Sequence, residues 1–113
     1  MGSIEMGTYR QLQESAGAEF VAELTRTFLE EAPRMIEQLI AAMAAGDAEK
    51  FRRVAHSLKS NANTFGAIEL GRLARDLETA GLEKVVAGDA AAVATLAKEY
   101  QRVSGELQGL IGA

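Results

Sequence analysis

The spacing of the apolar residues constrains this fold most strongly. Large apolar side chains recur every three or four residues through most of the 113-residue chain, which is the spacing of a buried stripe along a helix. Strands alternate with a period of two and favour β-branched residues, and the chain has no such run. The pairs Gly46-Asp47 and Gly88-Asp89 mark helix boundaries, because glycine can end one helix and aspartate can cap the next. The pattern predicts an all-α fold.

The predicted helices follow from these stripes and stop signals. Pro33 is expected to end one helix or to start the next in its first turn, and residues 82–86 are compatible with either a longer helix or a turn. A short helix at 8–14 is expected to cap one end of the domain. The longer predicted segments are 18–32, 33–45, 47–66, 67–80 and a last helix that ends near 111. Short connections between long helices favour an antiparallel up-down four-helix bundle.

The stripes also predict which side chains are buried. In 18–32 the predicted stripe is Phe20, Val21, Leu24 and Phe28, whereas Leu29 falls off it and is expected to be exposed. Ile40 and Leu110 are assigned to the buried stripes of their helices. Gly71 and Gly105 lie inside predicted helices, where glycine costs about 1 kcal/mol relative to alanine. Close packing against a neighbouring helix is the expected reason for both.

Composition limits the class of protein. A chain of this length forms one domain, and we assign it to 8–113, with 1–7 expected to be disordered or derived from an expression tag. A net charge of −4 argues against nucleic acid as a partner. With no cysteine and one histidine, a structural metal site is not expected. No run approaches the ~20 apolar residues that span a membrane, and the start lacks the apolar core of a signal peptide. We therefore expect a cytoplasmic monomer.

The only histidine lies on the polar face of the helix predicted for 47–66. At roughly 100° per residue, His56 points about 140° away from the apolar stripe. Arg52, Lys59, Ser60 and Asn63 follow at helical spacing and share its face. A neutral imidazole has a lone pair that can attack phosphorus, and a nearby cation can neutralise phosphoryl oxygens. Without further information, a lone surface histidine more often has no function.

Residues 55–67, A-H-S-L-K-S-N-A-N-T-F-G-A, resemble the signature of histidine phosphotransfer (HPt) domains. The resemblance continues through E-L-G-R-L-A-R-D-L-E at 69–78, and upstream segments at 28–39 and 44–47 are similar to family segments. It implies a helical bundle whose histidine accepts a phosphoryl group from one protein and passes it to another. The implied partners are receiver domains of response regulators or a hybrid histidine kinase.

The resemblance and the positions of the side chains on their helices together suggest roles for individual residues. His56 would carry the phosphoryl group, Lys59 would neutralise its charge, and Glu78 would accept the Nδ1–H of the ring and leave Nε2 as the nucleophile. Ser60 would let a partner surface approach, although family members often have glycine there. Asn63 could donate a hydrogen bond to the phosphoryl group, and Arg52 extends the same face. Leu29, expected to be exposed on the neighbouring helix, is the candidate for partner contact.

The sequence leaves several functions open. The chain contains no G-x-x-x-x-G-K-[ST] loop and no kinase glycine loop, so we expect a phosphocarrier without a nucleotide site or autokinase activity. No cofactor is expected in this chain, and Mg²⁺ would belong to the receiver. The domain could equally be a module of a larger hybrid or chemotaxis-type kinase. The chain could also be a phosphate-independent helical adaptor, or a small enzyme that uses His56 as a general base.

Overall fold

Five helices make up the regular structure of the computed structural model, which describes residues 2–88 and 91–112, with only the backbone described for 86–88. No strand is found in this part of the chain. The helices are α1 (Met6–Ala16), α2 (Ala18–Ala45), α3 (Ala48–Thr64), α4 (Ile68–Gly88) and α5 (Ala92–Leu110). The last four pack side by side as a bundle, and α1 packs across one end against α2 and α3. The domain as a whole measures 42 × 24 × 22 Å. The predicted four-helix bundle with an N-terminal capping helix is confirmed.

Helix α2 runs through Pro33 without interruption, so the predicted helix boundary there is wrong. Proline has no N–H with which to bond the carbonyl four residues earlier, and that carbonyl belongs to Leu29. The Tyr100 hydroxyl on α5 donates to the Leu29 oxygen at 3.3 Å. The missing backbone hydrogen bond is thereby replaced by a side chain that lies 71 residues away in sequence. Ala32 and Ile36 are buried on either side of the proline and hold the helix against the core.

The turns before and after α3 follow the predicted signals. Gly46 has a left-handed conformation with φ of 70°, and the Asp47 carboxylate accepts the Lys50 N–H at 3.1 Å. At the other end Gly66 has φ of 82°, and a Cβ there would lie 2.7 Å from the Glu5 carbonyl oxygen. Only glycine fits this approach without moving the backbone. The predicted cap at Asp89 lies outside the described residues.

Helix α4 contains one non-helical residue, Gly81, with φ of 79° and ψ of 163°. The chain kinks there and resumes a helical course with Leu82 and Val85 buried in the core. Residues 82–86 were expected either to prolong this helix or to turn away from it. Each expectation is partly right, because the chain turns at Gly81 and then continues as helix.

The buried stripe of α2 differs from the predicted one. Phe20 and Ile40 are 53% and 54% exposed, although both were predicted to be buried. Because α2 is one helix, a single stripe centred on Val21, Phe28 and Leu39 faces the core, and Phe20 and Ile40 lie to either side of it. Leu110, at the end of α5, is also exposed.

Residues 2–7 pack against the rest of the domain in the structure, although 1–7 were expected to be disordered or derived from an expression tag. Ile4 is 5% exposed and lies in the core. Its N–H donates to the Glu106 carboxylate at 3.0 Å, and the Ser3 N–H donates to the same carboxylate. The Glu5 N–H donates to the Gly66 carbonyl at 2.7 Å, and the Glu5 side chain caps α1. These contacts join the start of the chain to α5 and to the α3–α4 turn.

The two glycines inside helices α4 and α5 have opposite surroundings. A Cβ on Gly71 would overlap the Asn63 Oδ1 atom, whereas a Cβ on Gly105 would meet no atom of the described residues within 4 Å. Close packing is therefore the correct interpretation for Gly71 and the wrong one for Gly105.

A matched pair of alanine substitutions tests this difference. Gly105→Ala should raise the free energy of unfolding by about 0.5–1 kcal/mol, because alanine has the higher helix propensity. Gly71→Ala should raise the free energy of unfolding by less, because the Asn63 side chain must move to make room for the new methyl group. In a variant that already carries Asn63→Ala, Gly71→Ala should give the full increase. Urea denaturation of the single and double variants measures the coupling. Equal gains at both glycines in the parent chain would contradict the packing account.

Candidate functional site

Helix α3 holds His56 rigidly at the surface. The face beneath it is anchored by Phe51, Val54, Ala55 and Leu58, all of which are buried. The His56 side chain is 56% exposed, as the position of this residue on the polar face of the helix predicts. Its ring can therefore be reached by another protein while the backbone that carries it stays fixed in the bundle.

Glu78 on α4 bridges the histidine and the lysine of α3. Its Oε2 atom lies 2.7 Å from His56 Nδ1, and its Oε1 atom accepts from Lys59 Nζ at 2.9 Å. A carboxylate accepts hydrogen bonds only, so a neutral His56 in this contact carries its proton on Nδ1. The lone pair of the neutral ring is then on Nε2, the nitrogen that does not contact Glu78.

The charge of Glu78 is stabilised by its two partners. The hydrogen bond from Lys59 lowers the pKa of this carboxyl below its ordinary value of 4.5, partial burial opposes that effect, and the His56 contact lowers the pKa further. Glu78 is therefore ionised at neutral pH and holds both side chains in a fixed arrangement. Lys59 is partly buried by the contact.

The other predicted residues of this face differ in how closely they are associated with the histidine. Ser60 is exposed one turn from His56 and leaves the surface there open, while its carbonyl accepts the Thr64 hydroxyl at 3.0 Å. Arg52 is exposed and pairs with Glu49 at 3.3 Å. The structure thus brings together His56, Lys59 and Glu78, and leaves Arg52 in an ion pair within its own helix.

Asn63 does not lie where a hydrogen bond to a phosphoryl group on His56 would need it. The two residues are seven positions apart on α3, about 10.5 Å along a helix axis. The Asn63 amide instead lies over Gly71 of α4, in the space that the missing Cβ leaves. The expected contact with the phosphoryl group is therefore not supported, and Asn63 belongs to the groove between α3 and α4.

Leu29 is not the exposed residue that its position off the predicted stripe suggested. Its side chain is half-buried and packs against the core, because α5 covers this side of α2 and bonds the Leu29 carbonyl. Partner contact was expected at Leu29 because the side chain was expected to be exposed, so this burial removes the basis of that expectation.

Arg75 is a cation of this region that the sequence analysis did not identify. It lies one turn before Glu78 on α4 and lines the same groove as Lys59 and Asn63. Its side chain is 61% exposed, and its ion pair with Asp76, the one found among the described residues, is long at 3.8 Å. The sequence does show that Arg75 lies three residues before Glu78, which places the two on the same face of a helix. This spacing connects Arg75 with His56 only once α3 and α4 are known to be neighbours.

Comparison with protein families identifies the family of this chain. A family model described as Hpt domain matches residues 23–106. The chain belongs to the Hpt domain family. Hpt domains carry out histidine phosphotransfer in phosphorelays and work with receiver domains and histidine kinases. No curated protein and no solved structure matches the chain.

The matched range of the Hpt domain contains His56, Lys59 and Glu78 but excludes α1 and the first residues of α2.

The described residues contain no cluster of three or more histidine, aspartate or glutamate side chains that could hold a metal ion. Across residues 2–88 and 91–112, no helix is long and apolar enough to span a membrane.

The bridging contact of Glu78 should make a pH-dependent contribution to stability. Because folding lowers the pKa of Glu78, the contact stabilises the fold above the unfolded pKa and loses that contribution as the pH falls through the folded value. Lys59 and His56 are the titratable groups that face this carboxylate. Glu78→Gln should therefore be less stable than the parent at pH 7, and the difference should shrink as the pH falls through the ordinary carboxyl pKa of 4.5 and below it.

Thermal melts of both proteins across this range provide the measurement. The comparison with Glu78→Gln isolates this group from Glu5 and Glu69, whose pKa values are also lowered by hydrogen bonds. A difference in melting temperature that stays constant from neutral to acid pH would show that the charge of Glu78 does not stabilise the fold.

Proposed function

We propose that this protein is a phosphorelay intermediate in which His56 accepts a phosphoryl group from a phospho-aspartyl receiver domain, or from a histidine kinase, and passes it to another receiver domain. The observation that carries the proposal is an exposed imidazole whose Nδ1 contacts Glu78 at 2.7 Å. In the neutral form of this ring the Nε2 lone pair is not engaged by Glu78, and it is a suitable nucleophile for phosphorus.

The proposed transfer needs little bond-making machinery from this chain. The Nε2 lone pair forms a bond to phosphorus as the bond from phosphorus to the aspartyl oxygen breaks, and the carboxylate leaves with the electron pair. The ring becomes positively charged when Nε2 is phosphorylated, and Glu78 offsets that charge through Nδ1–H. Transfer to the next receiver reverses these steps. Under this proposal Mg²⁺ is bound by the receiver.

The proposal is tested by incubating the protein with a panel of radiolabelled phospho-receivers. Each receiver is first shown to donate its label to another Hpt domain, so that every donor in the panel is active. We expect one or a few receivers to transfer label to this protein within minutes. If every active receiver keeps its label, the chain is not a phosphotransfer partner, and a phosphate-independent adaptor becomes the better account of the domain.

Lys59 is proposed to support the reaction by positioning Glu78 and by neutralising phosphoryl oxygens. Lys59→Ala should slow transfer roughly tenfold, equivalent to about 1.4 kcal/mol in the activation free energy. Arg52→Ala is the matched control, because Arg52 is a cation of the same helix and its charge is paired with Glu49. This variant should change the rate by less than twofold. Single-turnover transfer from the donor receiver measures both rates. Equal rates for the two variants would assign Lys59 to the solvated helix surface.

A further inference from the structure

The groove between α3 and α4 has an unusual lining for a protein with a net charge of −4. We name it the donor groove, and it has a volume of about 250 Å³. Three of its lining side chains are cationic, one is an amide, and none is a carboxylate. The lining residues are Lys59, Asn63, Ile68, Gly71, Arg72 and Arg75. Its polar side chains therefore present mainly hydrogen-bond donors.

The donors in the groove are not all engaged within the protein. Arg72 bonds Glu69 and Asp76 at 2.7–2.9 Å, and Lys59 bonds Glu78. The Arg75 guanidinium makes no hydrogen bond within the described residues, and its contact with Asp76 is 3.8 Å. A guanidinium binds a carboxylate with two parallel N–H donors. Arg75 is therefore the cation in the groove that is available to an incoming acid.

The position of the donor groove connects it with His56. Lys59 lies one turn from His56 on α3, and Arg75 lies one turn from Glu78 on α4. From Arg75 to Ile68 the groove follows seven residues of α4, about 10.5 Å, which is the length of roughly three extended residues. Ile68, 52% exposed, lies at the end away from His56.

We infer that the donor groove binds an acidic segment of the receiver domain, with a carboxylate on Arg75 near His56 and an apolar side chain against Ile68. The inference rests on the proposed function for the identity of the partner, and charge complementarity supports it. A partner held along this groove is anchored within one turn of His56. Arg75 thereby contributes to binding of the partner, while the chemical step depends on His56 and its immediate neighbours.

The groove is tested first without phosphotransfer, using hexaglutamate peptide and ¹⁵N-labelled protein at low ionic strength. We expect the amide signals of Lys59, Asn63, Gly71 and Arg75 to shift on addition of peptide. Arg75→Glu should abolish these shifts. Lys98→Glu is the matched control, because it makes the same change of charge at an exposed residue of α5 outside the groove, and it should preserve them. Equal effects of the two variants, or shifts centred elsewhere, would overturn the inference.

The second test uses the receiver that donates phosphate to this protein. Arg75→Glu should raise the receiver concentration for half-maximal transfer roughly tenfold and leave the maximal rate within twofold, whereas Lys98→Glu should change neither. A lower maximal rate at unchanged half-saturation would contradict a docking role. If no receiver donates, the proposed function fails, and the peptide titration still decides whether the groove binds acidic segments.

Discussion

Replacement of His56 by glutamine is expected to abolish phosphoryl uptake completely. The chain has no second histidine, and the glutamine amide is not a nucleophile that can form the phosphoramidate. The loss should be all-or-none, in contrast to the partial effects expected at Lys59 and Arg75. Acid-labile phosphate in the variant, measured after incubation with the donor receiver, reports the result.

The fold of the His56→Gln variant should be nearly unchanged. The side chain is more than half exposed, and substitutions at such surface positions usually alter stability by no more than about 0.5 kcal/mol. Helicity by circular dichroism and the melting temperature are the controls. Acid-labile phosphate that persists in a folded variant would assign the acceptor to another residue.

Replacement of Ile4 by alanine is expected to destabilise the domain by about 2–3 kcal/mol, within the range for truncating buried isoleucines. Ile4 is buried in the core, and the chain on either side of it bonds Glu106 and Gly66. The effect is large because the N-terminal residues complete the end of the bundle. Urea denaturation gives the free energy of unfolding.

Ile40→Ala is the matched control for this prediction. It removes the same atoms from a side chain that is 54% exposed, and the cost should stay below about 1 kcal/mol, because less apolar surface is lost from the interior. If both substitutions have the same small effect, Ile4 does not pack in the core and the N-terminal segment is dispensable.

Features of the fold that depend on local sequence could be predicted. The apolar stripe of α3, the Asp47 cap and the left-handed glycines at its two ends are all determined within a few residues. The exposure of His56 follows from the same periodicity, because a residue opposite a buried stripe has to face outwards. The candidate nucleophile was therefore accessible from the sequence alone.

Features that depend on distant residues could not be predicted. Proline normally interrupts a helix, and α2 continues through Pro33 with Tyr100 of α5 bonded to the carbonyl that the proline leaves unpaired. The burial of Ile4 similarly involves Glu106, which lies 102 residues away. No pattern within α2 or the N-terminal segment contains this information.

The arrangement of the site depends on the register between α3 and α4. Asn63 lies against Gly71, and two turns further along both helices His56 contacts Glu78. Each helix taken alone shows a charged face, but only their antiparallel pairing places Glu78 between His56 and Lys59 and brings Arg75 to the same groove. The resemblance to Hpt domains suggested the role of Glu78, whereas Arg75 became evident only from the structure.

The position of the phosphoryl group on the imidazole tests the central claim most directly. Phosphorus on Nε2 couples to both carbon-bound ring protons through comparable bond paths, whereas phosphorus on Nδ1 has such a path only to the proton between the two nitrogens. We therefore expect ³¹P–¹H correlation spectra of the loaded protein to show one phosphohistidine, assigned to Nε2 of His56, because Glu78 contacts Nδ1. A phosphoryl group on Nδ1, or on any residue other than His56, would contradict the account.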